Sequence, residues 1–320
     1  MSTMRTGVVS MAEFWLITEQ VSGIIDLKLS ESCSFAKLSL IKKRGKSMIC
    51  NLKEILTFSK KGTSAIAAFN VFGFEDAHAV VQAAESEGKP VILMANRDAV
   101  AHMGVALIGH IMKHVAKPAK VPVCIHLDHA DNLETIEEAI ASGYSSVMID
   151  ASSQPFEENV AITKQVVARS HPNVSVESEI GFVGCVERNT RSVFTEPGEA
   201  KDFAKQTNID ALAVAVGTVH RMPLQKADLQ FELLQKISDT IETPIVIHGS
   251  TGVSDEDLRR LVQCGVQKIN LGTTLRIAFG KTLRKQFEED AKIFDRMKLF
   301  KPCMEAVREK AIEKIRLINL

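Results

Sequence analysis

The chain has 320 residues, with 39 Lys plus Arg balanced by 39 Asp plus Glu. That length suits one barrel of about 250 residues with an extension. The balance excludes the global basic field of a nucleic-acid binder, and a single Trp and a single Tyr leave little for base stacking.

Six cysteines (Cys33, Cys50, Cys124, Cys185, Cys264, Cys303) are scattered without a C-x-x-C pair. This speaks against a thiolate zinc site or a disulfide framework and fits a reducing cytoplasm. No apolar run reaches the ~18 residues of a membrane span, and no cationic stretch leads into an uninterrupted apolar one. The expectation is a cytoplasmic protein that engages neither membrane nor nucleic acid.

Residues 1–47 carry no strand or helix repeat and end in Lys-Lys-Arg-Gly-Lys-Ser just before Met48. They read as an N-terminal extension, or as a start assigned upstream of the natural one. A purine-rich ribosome-binding sequence encodes Lys-Lys-Arg-Gly, which favours Met48 as the natural start. Residues 48–320 then form the folded domain.

From about residue 50, short apolar runs alternate with helical spacing. The runs cover 64–71, 90–95, 121–129, 145–150, 173–180, 211–216, 244–249 and 268–272. Each is nearly continuously apolar, as strands buried on both faces are. Between them, Leu133, Ile136, Ala139 and Ile140 follow an Asn132 cap and stop at Gly143. Leu258, Leu261 and Val262 follow Ser254, with Asp257 in a capping-box variant, and stop at Gly265. A closing helix is expected over 275–289 and a charged C-terminal helix over 302–316. Eight regular strand–helix repeats without a G-x-G-x-x-G after the first strand favour a closed (β/α)8 TIM barrel over an open doubly wound sheet.

In such barrels functional groups stand at the C-terminal ends of strands. Strand three ends in H-L-D-H, strand six runs into G-T-V-H, and strand seven ends in His248. His129, His220 and His248 therefore share one mouth, the three-imidazole arrangement of a catalytic Zn²⁺ with an open fourth position. His126 lies deeper on the strand and reads as a core residue. The remaining five histidines fall in helices or loops. Asp128, Asp150, Glu177 and Glu179 cluster at the same end, as orienters of ligands or as general acid/base groups.

Two Gly-rich strand ends suit an anion: Gly249, Ser250, Thr251 and Gly252 after strand seven, and Asn270 through Thr273 after strand eight. A phosphorylated small-molecule substrate follows. No strand ends in lysine, and Lys268 starts strand eight away from the mouth, which disfavours a Schiff base.

These motifs together resemble the class II, metal-dependent ketose-bisphosphate aldolases, over essentially residues 48–316. They are H-L-D-H (126–129), M-I-D-A-S (148–152), V-E-S-E-I-G (176–181), V-G-T-V-H (216–220), I-H-G-S-T-G (247–252) and K-I-N-L-G-T (268–273). The resemblance implies that His129, His220 and His248 ligate Zn²⁺, which stabilises the enediolate left by C–C cleavage. Asp150 and Glu179 would hold a second or displaced metal. Asp128 would handle the hydroxyl proton, and Glu187, in the loop after strand five, would exchange a proton with the enediolate carbon. Gly249, Ser250, Thr251, Asn270, Leu271, Gly272 and Thr273 would hold the phosphate of dihydroxyacetone phosphate, with a monovalent cation, Na⁺ or K⁺, nearby. Such aldolases are usually homodimers or homotetramers.

The chain departs from the family pattern at four places. Arg221 stands where Gly is usual beside the phosphate, Cys185 where a second Gly is usual, Ala151 in place of Gly, and Gly73 in place of a polar residue. Arg221 is thus expected to crowd the phosphate or to meet it through its guanidinium. Two other readings remain at this level: a non-catalytic aldolase-like subunit, and another metal-assisted sugar-phosphate lyase or epimerase. The mass of the N-terminal peptide from natively expressed protein checks the start, with a peptide beginning at or just after Met48 as the expected outcome.

Overall fold

A computed structural model of the chain describes residues 48–222 and 227–320. The expected extension, 1–47, lies outside the described residues. The alternation read from the sequence is present. Helix α1 (Leu52–Leu56) precedes β1 (Ile66–Asn70), α2 (Phe74–Glu87), β2 (Val91–Ala95), α3 (Arg97–Met103) and α4 (Val105–Ala116). Next come β3 (Val123–Ala130), α5 (Leu133–Ser142), β4 (Ser146–Ile149), α6 (Phe156–Ser170), β5 (Ser175–Ile180), β6 (Gly184–Cys185) and α7 (Pro197–Thr207). The remainder is β7 (Ala211–Val214), β8 (Val219–His220), α8 (Phe231–Thr240), β9 (Ile245–Ile247), α9 (Asp255–Gln263), β10 (Val266–Leu271), α10 (Thr273–Glu289) and α11 (Arg296–Leu317).

Eight strands close into a parallel barrel in the order β1-β10-β9-β7-β5-β4-β3-β2. Their residues are buried on both faces, which is why the sequence shows apolar runs and not alternation. Outward residues such as Phe69, Leu93, Ile125 and Leu212 pack under the helices. Inward residues Ile66, Ala68, Ile92, Met94, Met148, Ala213 and Val246 fill the barrel, and Leu52, Ile55 and Leu56 of α1 join that inner cluster. Among the described residues, no single helix is long and apolar enough to cross a membrane.

Local signals behave as their chemistry requires. The Asn132 side chain accepts from Thr135 N–H, and Gly143 ends α5 in the left-handed region. Ser254 accepts from Asp257 N–H, but its hydroxyl in turn donates to the Asp257 carboxylate at 2.8 Å.

Two expectations need correction. The C-terminal helix begins at Arg296, capped by Asp295, and runs through Pro302. The buried stripe Leu299, Cys303, Val307, Ala311 and Ile315 carries it past the one hydrogen bond that proline forgoes. The second correction concerns His220. It does not end the sixth barrel strand, which stops at Val214. It lies instead on β8, which pairs in parallel with β6 to make a small ribbon across the mouth.

The chain leaves the barrel for that ribbon at Gly217, whose φ is +102°. A Cβ there would stand 1.9 Å from the Asp228 carbonyl oxygen. Replacing Gly217 by Ala must therefore displace backbone as well as strain it. The expected cost is about 2–3 kcal/mol in urea unfolding, together with weaker metal binding, because the displaced segment carries His220.

Candidate active site

His129 reaches the mouth because β3 is irregular there. Its register against β4 shifts between Leu127 and Ala130, and His129 has φ 58°. In a regular strand Asp128 and His129 would face opposite sides. The bulge turns both toward the mouth. The Arg97 guanidinium fixes the bulge by donating to the His129 carbonyl at 2.6 Å.

The three histidines meet. One ring nitrogen from each of His129, His220 and His248 lies within 4.8 Å of the others. His129 Nε2 and His248 Nδ1 are 2.9 Å apart, and the His220 and His129 rings stand edge to face at 4.9 Å. Behind them, His129 Nδ1 meets Asp150 Oδ2 at 2.8 Å and His248 Nε2 meets Glu177 Oε1 at 2.9 Å. Those carboxylates take the outer N–H of each ring, so that the inner nitrogens face one another and would offer their lone pairs to a metal. Glu179 Oε2 is buried beside them, 3.5 Å from His248 Nδ1, without a hydrogen-bond donor. Three converging imidazoles and an orphaned carboxylate oxygen fit a cation with nitrogen preference.

Charges follow this crowding. Burial, reinforced by the charge on His129, holds His220 well below the usual imidazole range, in the neutral form a metal takes. His248 is also lowered, by burial opposed by the Glu177 hydrogen bond. For His129, burial works downward but Asp128 and Asp150 outweigh it, giving about 9. Burial, with the Asp150 charge, pushes Glu179 up to about 8. Asp128 is opposed by burial, yet the surrounding His129, His248 and Lys268 bring it down to about 2.

Asp128 is oriented from two strands. Asn70 at the end of β1 donates to Oδ2 at 2.8 Å, and Asn270 of β10 donates to Oδ1 at 3.2 Å. The pocket above is lined by Asn70, Asp128, His129, His220 and Arg221. Gly249, Ser250, Thr251, Asn270, Gly272 and Thr273 complete its wall. Gly249 (φ 66°) allows the strand-seven turn to pass the β8 backbone, where a Cβ would stand 2.8 Å from the Val219 carbonyl carbon. Helix α10 begins at Thr273 without a side-chain cap, and its first residue lines the pocket, an end whose free N–H groups could accept an anion. The Ser250 hydroxyl is already donated to the Asn270 carbonyl at 2.5 Å.

The remaining expected residues are placed differently. Leu271 does not line the pocket; one step along the strand from inward Asn270, its side chain lies in the outer core. Asp150 uses one oxygen on His129 and the other on the Ser152 hydroxyl at 2.7 Å, so it stands behind a ligand. Glu187 is exposed at the rim on the ribbon side and accepts from Arg221 Nη1. Arg221, at φ 57°, sits in the left-handed region that explains the usual glycine there. Its other Nη donates to Asp98 Oδ2 at 2.5 Å.

Lys268 also departs from expectation. It is fully buried inside the barrel, one inward step below Asn270, and its Nζ donates to Glu177 Oε2 at 2.8 Å. Glu177 is thereby held as a carboxylate well below the usual range, burial opposing and Lys268 and His248 prevailing. His126 is the core residue expected, its Nδ1 2.8 Å from Ser146 Oγ. Sequence reasoning assigned no role to Asn70, Asp98 or Arg276. Asn70, at the C-terminal end of the first strand, carried the one available signal.

A (β/α)8 barrel thus carries at its C-terminal mouth three histidines that could hold a metal ion, beside a glycine-rich pocket. The chain belongs to the class-II fructose-bisphosphate aldolase family, whose model matches residues 50–320. It is a carbon–carbon lyase by that membership. It is 38% identical over 277 residues to the fructose-bisphosphate aldolase of Geobacillus stearothermophilus, covering 84% of this chain and 96% of that one. The Staphylococcus aureus fructose-bisphosphate aldolase is 35% identical over the same shares. The crystal structure of the YdjI aldolase from Escherichia coli K12 superposes with a TM-score of 0.75 at 32% identity, covering 84% of this chain and 97% of that one.

The Lys268–Glu177–His248 line generates a test. Glu177→Gln keeps an acceptor for His248 but leaves Lys268 buried without a counter-charge. The expected outcome is a stability loss of about 3–5 kcal/mol and a metal affinity lower by about 10–100-fold, read by competition with a chromophoric chelator. Unchanged affinity in the folded variant would show that Glu177 does not position His248.

Proposed function

We propose that the chain is a zinc-dependent aldolase. It cleaves a phosphorylated ketose of the fructose- or tagatose-bisphosphate kind to dihydroxyacetone phosphate and an aldehyde. The observation that carries this reading is the convergence of the three histidines within 4.8 Å, with Asp128 and the glycine-rich cradle lining the adjoining pocket.

Zn²⁺ held by His129, His220 and His248 would polarise the substrate carbonyl as a Lewis acid. The chain's own groups do the rest. Gly249, Ser250, Thr251, Asn270, Gly272 and Thr273, with the start of α10, hold the phosphate and so fix the reacting carbons relative to Asp128. Asp128, oriented by Asn70 and Asn270, accepts the hydroxyl proton as the C–C bond breaks, and the aldehyde departs with its new carbonyl. The electron pair left on the triose carbon is quenched by a proton delivered through Glu187. Glu179, whose buried Oε2 lacks a hydrogen-bond partner, would be the residue to hold a displaced metal. The catalytic domain spans 48–320, behind an extension over 1–47. The working enzyme is a cytoplasmic homodimer or homotetramer of carbohydrate metabolism, with Na⁺ or K⁺ near the phosphate.

Arg221 beside the cradle favours a test over a panel of phosphorylated ketoses, with released triose phosphate measured. Cleavage is expected to vanish on chelation and return with Zn²⁺. Asp128→Asn is expected to lower kcat by about 10²–10⁴-fold. Full activity in metal-free protein would sink the zinc reading.

A further inference from the structure

Arg221 is the departure from the family pattern that the proposed chemistry leaves unused, and its surroundings are specific. It follows His220 directly, at the end of β8. The neighbouring β6 strand runs beside it, with Cys185 level with His220 and Val186 N–H donating to the His220 carbonyl at 3.1 Å. Glu187 follows in the turn over 186–189, just past the end of that strand. The Arg221 guanidinium crosses to it through Nη1 and donates through Nη2 to Asp98 at the start of α3. Asp98 also accepts from Arg276 Nη1 of α10 at 3.3 Å. One guanidinium thus links the turn after β6 to the first turn of α3, and Arg276 extends the link to the first turn of α10.

We infer that Arg221 is a positioning residue that ties Glu187, and with it the β6 loop, to the rim of the active site. This rests on the proton-transfer role proposed above for Glu187. A planar guanidinium suits the task, because its fork holds two carboxylates in fixed directions, which a lysine ammonium does not. The backbone arrangement serves the same end: the left-handed conformation at Arg221, φ 57°, turns the chain sharply just past a metal ligand. The position of the proton-transferring carboxylate is in this way coupled to the strand that carries His220. Glu187 is 59% exposed and Arg221 30%, so the tie is a rim ion pair of modest strength. That strength suits a loop that must hold a carboxylate in place and still release product.

The experiment uses the full-length Zn²⁺-loaded protein and the variants R221Q, R221K, E187Q and R221Q/E187Q. Two quantities are read: solvent-deuterium exchange into dihydroxyacetone phosphate at saturation, and backbone amide exchange over 182–192 without substrate. For R221Q the expected result is proton exchange slowed at least about tenfold, a part of what a positioned acid/base group contributes. Amide exchange in the loop rises, KM for the triose phosphate stays nearly unchanged, and zinc content is retained. R221K restores part of the rate. In the E187Q background, R221Q adds no further loss. Two results would overturn the assignment: a raised KM with an unchanged saturated rate, which makes Arg221 a phosphate ligand, or an R221Q loss that persists undiminished without Glu187. Wild-type protein that neither cleaves nor exchanges removes the aldolase reading itself. The amide-exchange measurement still judges the tie in that case, and unchanged loop protection in R221Q refutes it.

Discussion

The structure depends on bringing three imidazoles to one point from three distant parts of the chain while keeping each from turning away. His129 comes from a bulge in β3, His220 from a ribbon outside the barrel, and His248 from the end of β9. Crowding like-charged rings in a buried place is unfavourable, so two of the three must stay neutral. The surroundings arrange this. Burial and the charge on His129 keep His220 neutral, and burial dominates at His248. Asp128 and Asp150 gather about His129 and make it the cationic member when no metal compensates them. A divalent cation held by the three histidines would displace that proton and raise the local charge by one unit, which the surrounding carboxylates would offset.

The barrel beneath is shaped by this demand. A barrel interior is ordinarily a stack of branched apolar side chains, and here Ile66, Ile92, Met94, Met148 and Val246 supply part of it. The layer under the mouth is polar instead, with Lys268, Glu177 and His126 fully buried together. Such a layer is expensive unless its members satisfy one another. Glu177 gives one oxygen to Lys268 and the other to His248. The buried lysine thus acts at the site through Glu177, fixing which nitrogen of His248 faces the cavity.

Much of this was legible in the sequence, and the limits have physical causes. The strands were readable because both of their faces are buried, so each appears as a short apolar run. The tight strand ends were readable because glycines there mark close backbone approach, as at Gly249 and Gly272, where a Cβ would meet Val219 and Asn70. The histidines were legible as a set, but their placement was not. Periodicity in β3 puts Asp128 and His129 on opposite faces, and only the bulge reconciles them. The β6–β8 ribbon consists of two residues on each side, too short to show any period, so His220 read as part of the preceding strand. Lys268 was misplaced for a related reason. Its position early in a strand marks depth along the barrel, whereas its role is set by a partner 91 residues away.

The same distinction bears on Arg221. Its left-handed backbone is the geometry that usually calls for glycine, so the substitution carries a conformational cost of about 1 kcal/mol or more. The two carboxylates of Asp98 and Glu187 offset it by engaging the guanidinium from either side. Neither carboxylate is near Arg221 in sequence, at separations of 123 and 34 residues. A reading confined to the motif therefore sees only a missing glycine, and the fold supplies its replacement: a cation at the point where the loop bearing Glu187 passes the strand bearing His220. The glycine-rich cradle is lined by strand-end glycines, Thr251, Thr273 and the start of α10 as well as by Arg221. What the substitution changes is the connection between that cradle's rim and the loop after β5.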